Sequence, residues 1–181
     1  FGPTALNLAG APAPDYFQGL PFAGPAAGRH RETALAFRGI NGGRWDPVRT
    51  LRDERYVYSR NFLPHRPAGQ RQDYQWRMPG QQAWELAWKA GQCNELQSRF
   101  WLPRPSEELY DLISDPEQTT NLASDPTHAK HLANLRTRLR EELIRHGDIG
   151  LVPNSLRAPL NAPTYYDRMQ PRSEERRVGK E

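Results

Sequence analysis

The chain has 181 residues, of which 36% are apolar and 17 are proline, against an apolar share of about 45–50% and a proline share near 5% in ordinary globular chains. A small core and much loop follow. The formal net charge is +4, but Lys and Arg alternate with Asp and Glu over most of the length, which reads as a mixed solvated surface and not as a nucleic-acid binder.

The lone cysteine, Cys93, excludes an internal disulfide and any cysteine-built metal cluster. No apolar run approaches the ~18 residues of a membrane span, and the start at Phe1 lacks the basic and apolar regions of a signal peptide.

In chain order, Thr4 to Ala9 followed by Gly10 predicts a short helix ended by glycine, with Pro3 in its first turn. Pro12, Pro14, Gly19, Pro21, Gly24, Pro25 and Gly28 then punctuate a linker-like arm carrying Tyr16, Phe17, Leu20 and Phe22. Thr33 to Arg38 reads as the first strand, with a flexible turn over Gly39 to Gly43. Val48 to Arg52 and Arg55 to Phe62 flank Asp53-Glu54 as a hairpin, and Tyr56, Tyr58, Arg60 and Phe62 share one face by the period of two. That face is expected to meet the closing helix.

Gln81 to Ala90 carries Trp84 and Trp88 four apart on one helical face, a spacing assigned to packing. Asn94 to Trp101 is a second short helix. Leu109, Tyr110 and Leu112 form a last strand, stopped at Asp115-Pro116. From Thr127 to Gly147, Leu132, Leu135, Leu139 and Leu143 recur with helical period, with Thr127 as N-cap, His128 and His131 facing solvent, and Arg136, Arg138 and Arg140 pointing mostly to water. The charged end of the chain has no periodicity and is expected to be disordered.

The run E-L-Y-D-L-x-x-D-P-x-x-x-x-N-L-A, from Glu108 to Ala123, resembles the segment near the C-terminus of type I sulfatases, the formylglycine- and calcium-dependent sulfate ester hydrolases. Phe1 to Gly10 is similar to the end of that family's catalytic domain, and Arg44 to Asn61 to its C-terminal hairpin. Pro64-His65-Arg66-Pro67, Trp76 to Pro79 and Asn94 to Trp101 look most like the bacterial branch related to N-sulfoglucosamine sulfohydrolases.

The resemblance implies an α+β fold: a small antiparallel sheet of about four strands covered by a C-terminal helix, the C-terminal subdomain of an alkaline-phosphatase-like sulfatase. It divides the chain into residues 1–30 (end of the catalytic domain and arm), 31–154 (subdomain) and 155–181 (tail, of which 172–181 resemble a cloning or sequencing artefact). The chain then reads as a fragment, with the aromatic arm packing on its own catalytic domain. A periplasmic or extracellular parent acting on a sulfated carbohydrate or aryl sulfate is the family expectation.

Calcium and formylglycine are implied for the parent and no cofactor for this fragment. The formylglycine motif Cys/Ser-x-Pro-x-Arg is absent: Cys93 lacks both following residues, and Ser114-Asp115-Pro116-Glu117-Gln118 ends in Gln. No catalytic residue or metal ligand is therefore assigned. Arg38, Arg44 and His65 are the candidates for substrate contact, since guanidinium pairs with sulfate-like oxygens and His65 is held between two prolines. The alternative function is a non-catalytic carbohydrate-binding or interaction module, which would display Trp45, Trp76, Trp84, Trp88 and Trp101 as an exposed platform.

Overall fold

Alternating apolar residues at Leu35, Leu51, Tyr58 and Leu109 fall into register across four strands, and that row places the core. The computed structural model describes residues 1–28, 31–41 and 44–152. Its strands are β1 (Ala34–Asn41), β2 (Arg44–Arg52), β3 (Tyr56–Asn61) and β4 (Glu107–Asp111), antiparallel in the order β1-β2-β3-β4. Leu35 faces Leu51, Leu51 faces Tyr58 and Tyr58 faces Leu109. The last three are among the most deeply buried side chains.

The helices are α1 (Gly2–Leu8), α2 (Asp73–Trp76), α3 (Pro79–Lys89), α4 (Glu95–Ser98) and α5 (Ala129–Arg145), with 3-10 turns at Arg99–Trp101 and Pro126–His128. The chain divides into two compact units, Phe1–Glu142 and Leu143–Glu181. Of the second, the described part is the last turn of α5 and the segment to residue 152. Gly147 at φ +59 ends the helix, donating to Ile144 O while Asp148 donates to Leu143 O, a glycine-dependent stop. The expected disorder of residues 155–181 lies outside the described residues.

Within the first unit, α5 lays Leu132, Leu135 and Leu139 into the core and is fastened by polar contacts. Tyr56 stacks on His131 at 4.8 Å and meets His128 edge-on at 6.2 Å. Arg136 donates a fork to Glu107 at 2.8 and 2.9 Å, Tyr58 donates to the same carboxylate at 2.5 Å, and Arg138 pairs with Glu32 at 3.3 Å.

One expectation is corrected here and two are refined. Arg136 and Arg138 add acidic partners while Arg136 stays half-exposed, His131 stays exposed while stacking on Tyr56 and His128 is half-buried, and the cap is not Thr127 but Asp125, whose carboxylate accepts from Thr127 N at 2.8 Å. Pro126 opens a 3-10 turn ahead of the α-helix, which moves the capping position back by two residues.

Glu107 is held at about 2, first by the hydrogen bond from Arg136, while burial first and then the Glu107 bond push Tyr58 up to about 12. A carboxylate whose pKa is lowered on folding contributes stability above its unfolded value, here 4.5, and loses it as pH falls through the folded one. With Arg136 half-exposed, about 1–2 kcal/mol is expected to disappear between about pH 4.5 and pH 2. Urea midpoints at pH 6 and pH 3 should show that loss, and Glu107→Gln should remove this part of the slope.

The two sheet edges differ. At β4, Asn121 Oδ1 accepts from Leu109 N at 2.9 Å, its amide donates to Glu107 O, and Leu122 N donates to Leu109 O, so the edge is covered. Asp115 accepts from Thr119 N and Thr120 N, closing the turn that returns the chain to that edge. Asp111 takes a fork from Arg55 and anchors the β4 end to the β2–β3 hairpin. These are the Asp and Asn positions of the Glu108 to Ala123 run.

β1 extends to Asn41, three residues past the expected strand end, so Gly39 is strand and not turn; residues 42 and 43 lie outside the described residues. Between β3 and β4 the chain makes a long excursion whose two arms are bonded to each other. Asn61 N donates to Ser106 O, Arg104 N to Pro64 O and Gly69 N to Phe100 O, and Pro67 bridges Pro103. A Cβ on Gly69 would stand 2.6 Å from the Phe100 ring and 2.9 Å from its carbonyl oxygen, so only glycine permits this approach.

Candidate substrate-facing site

A buried charge lies where β1 and β2 fall out of step. From Arg38 to Ile40, β1 advances two residues while β2 advances three, from Val48 to Trp45. The extra residue is a bulge, which accommodates Pro47 in a central strand where a proline would otherwise remove a ladder bond. Beside it Asp46 is fully buried, its carboxylate between Arg38 at 3.0 Å and Arg104. Two guanidiniums on one carboxylate leave a local surplus of one positive charge.

Away from the helix, the sheet presents a groove of about 370 Å³. Two register rows floor it: Ala36, Thr50, Ser59 and Glu108, and Arg38, Val48 and Asn61. Thr50 and Ser59 share a hydroxyl hydrogen bond at 2.7 Å. Glu108 accepts from the Asn61 amide and from Tyr110 Oη.

Of the residues singled out in the sequence, Arg38 lines this groove. His65 is exposed on the turn closed by Arg66 N to Leu63 O, and its neighbour Pro64 accepts from Arg104 N at 2.9 Å, so the turn is tied to the same arginine that holds Asp46. Arg44 is exposed, and its Nε donates to Arg71 O at 2.9 Å. Neither Arg44 nor His65 lines the groove. Sequence reasoning missed Asp46 and Arg104. A charged residue followed by proline inside a strand was the signal available for the first.

Trp76, Trp84, Trp88 and Trp101 form an interior cluster instead of a platform, with Trp45 outside it. Trp76 and Trp101 are buried, and Trp45, Trp84 and Trp88 half-buried. Trp101 is the hub, stacked on Trp88 at 5.4 Å and edge-on to Trp76, Trp84 and Phe100 at 6.0, 5.3 and 4.9 Å. That burial weighs against the carbohydrate-module reading. Among the described residues no group of three or more His, Cys, Asp or Glu could hold a metal ion, and no helix is long and apolar enough to cross a membrane.

The chain is 33% identical over 156 residues to an ulvan-active sulfatase of Formosa agariphila, a match covering 86% of this chain and 26% of that protein. Among solved structures, a 2-O GAG sulfatase matches with TM-score 0.51 at 22% identity, over 81% of this chain and 24% of that one. A protein solved in complex with its substrate D-glucosamine-2-N,6-O-disulfate matches with TM-score 0.51 at 15% identity, over 84% of this chain and 25% of that one. No protein-family model matches.

The chain thus spans about a quarter of the length of each of these proteins. Sequence likeness over most of the chain and a shared four-stranded α+β fold agree: the chain belongs with the C-terminal part of the sulfatases.

Proposed function

We propose that the chain is the C-terminal subdomain of a sulfatase acting on a sulfated polysaccharide, packing on a catalytic domain outside this chain and helping to shape the substrate pocket. The observation that carries this reading is the 33% identity to an ulvan-active sulfatase over 86% of the chain. Residues 1–30 are then the end of the catalytic domain with its arm, 31–154 the subdomain and 155–181 a tail. Phe1 and Phe22, edge-on at 5.6 Å and 98% and 66% exposed, are apolar surface suited to cover by such a domain.

The residues described here do not fit the formylglycine or the calcium of a type I parent, because neither the modification motif nor a cluster of hard ligands is present among them. Both groups are assigned to the catalytic domain, and no step of hydrolysis is derived from this chain. Its own part is recognition. Arg38, Arg44 and His65 are proposed to contact the sulfated sugar or its neighbours at the mouth of the site. The neighbours' names include a 2-O GAG sulfatase and a 2-N,6-O-disulfate substrate, so sulfate esters and sulfamates are both tested, the latter as the N-sulfoglucosamine branch would require.

Recovering the upstream coding sequence and assaying sulfate release from ulvan and glycosaminoglycans tests the proposal. The whole protein is expected to carry Cys/Ser-x-Pro-x-Arg and to release sulfate. The 181-residue chain alone, with calcium, is expected to release none. A whole protein without that motif and without activity on any sulfated glycan would overturn the reading.

A further inference from the structure

The groove on the helix-free face of the sheet is graded in polarity. At one end stand Arg38 and Arg104 with Asp46 between them. In the middle are the hydroxyls of Thr50 and Ser59, and at the other end Glu108. Asp46 is fully buried and fixes the two guanidiniums, its Oδ2 lying 3.0 Å from Arg38 Nη2 and its Oδ1 beside Arg104. Arg38 is the arginine that reaches outward, its side chain 35% exposed against 12% for Arg104.

We propose that this groove binds one acidic sugar unit, with its carboxylate or sulfate on Arg38 and its hydroxyls on Thr50, Ser59 and Glu108. The volume, about 370 Å³, lies at the lower end of ordinary ligand sites and suits one or two rings. A guanidinium already oriented by a buried carboxylate pairs with an oxyanion without first losing rotamer freedom. Thr50 and Ser59 hold each other's hydroxyls and still offer lone pairs to a sugar hydroxyl. Glu108, as an acceptor-only carboxylate, suits hydroxyl donors and repels a second anion, which sets the ligand's direction. The choice of an acidic sugar rests on the sulfatase reading, whereas the groove's polarity does not.

The test is titration of the 181-residue chain, followed by NMR or calorimetry, with a sulfated uronate disaccharide, its desulfated form, a neutral disaccharide and inorganic sulfate. The sulfated disaccharide is expected to bind at least tenfold more tightly than the neutral one. Retained affinity in the desulfated form assigns the contact to the carboxylate, and its loss assigns it to the sulfate. Arg38→Gln should abolish the preference. Ser59→Leu, which fills the groove without touching Asp46, should abolish binding while the melting curve stays cooperative.

Equal binding of acidic and neutral sugars, inorganic sulfate binding as tightly as the disaccharide, or an unchanged affinity in Ser59→Leu would overturn the proposal. Sulfate release by the whole protein with no saccharide binding by the groove would sink this inference alone. Groove binding without sulfatase activity in the whole protein would sink the functional reading instead.

Discussion

Trp101→Ala is expected to destabilise the chain by about 3–5 kcal/mol, the usual range for emptying a buried tryptophan site. The ring touches Trp76 of α2, Trp84 and Trp88 of α3 and its own neighbour Phe100. These belong to separate helical pieces too short to persist alone. Removing the hub leaves them without a common surface, and on a total of about 5–15 kcal/mol the loss is a large fraction. Urea unfolding followed by circular dichroism should show the drop, Trp101→Phe should recover part of it, and Trp45→Phe should change little. A Trp101→Ala midpoint close to that of the unmutated chain would mean that the excursion between β3 and β4 is held by its bonded arms instead.

Asp46→Ala is expected to be comparably severe for a different reason. Removing one partner of a buried ion pair costs about 3–5 kcal/mol because the remaining charge stays buried and uncompensated. Here two arginines would face each other across the vacated position. Asp46→Asn keeps the shape and loses the charge, so it should recover little. In a double-mutant cycle with Arg104→Met, the double variant should be less destabilised than the sum of the singles by more than about 1 kcal/mol. Simple additivity would show that Asp46 acts through packing at the bulge and not through its charge.

What the sequence made legible was local. The apolar period from Leu132 to Leu139 named the buried face of α5, and the alternation Tyr56, Tyr58 named the face of β3 it covers. The Glu108 to Ala123 run was readable as strand and turn because proline, aspartate and asparagine act on their own neighbours: Asp115 on Thr119 and Thr120, Asn121 on Ala123. What stayed hidden was long-range. Arg136 looks like any arginine on a solvent face until the fold brings Glu107, 29 residues away in sequence, under it. Arg104 and Asp46 are separated by 58 positions and meet only once the excursion has closed. Arg38 was singled out as a basic residue on a strand, but its buried partner could not be inferred from its neighbours.

The bonded arms of that excursion also bear on the order in which the chain assembles. The sheet is ordered β1 to β4 as a plain meander, yet β4 can join β3 only after residues 62–106 have been looped back. Closing a loop of about 45 residues instead of about 4 adds roughly 2 kcal/mol of chain entropy. The rungs at Pro64–Arg104, Pro67–Pro103 and Gly69–Phe100 divide that closure into steps, the innermost lying beside Trp101. If the aromatic cluster condenses first, the arms zip outward toward Asn61 and Ser106 and deliver β4 to a hairpin already formed. The Trp101→Ala chain should then refold more slowly as well as being less stable, its deficit falling on the folding limb of the chevron. A deficit confined to the unfolding limb would place the cluster after the transition state.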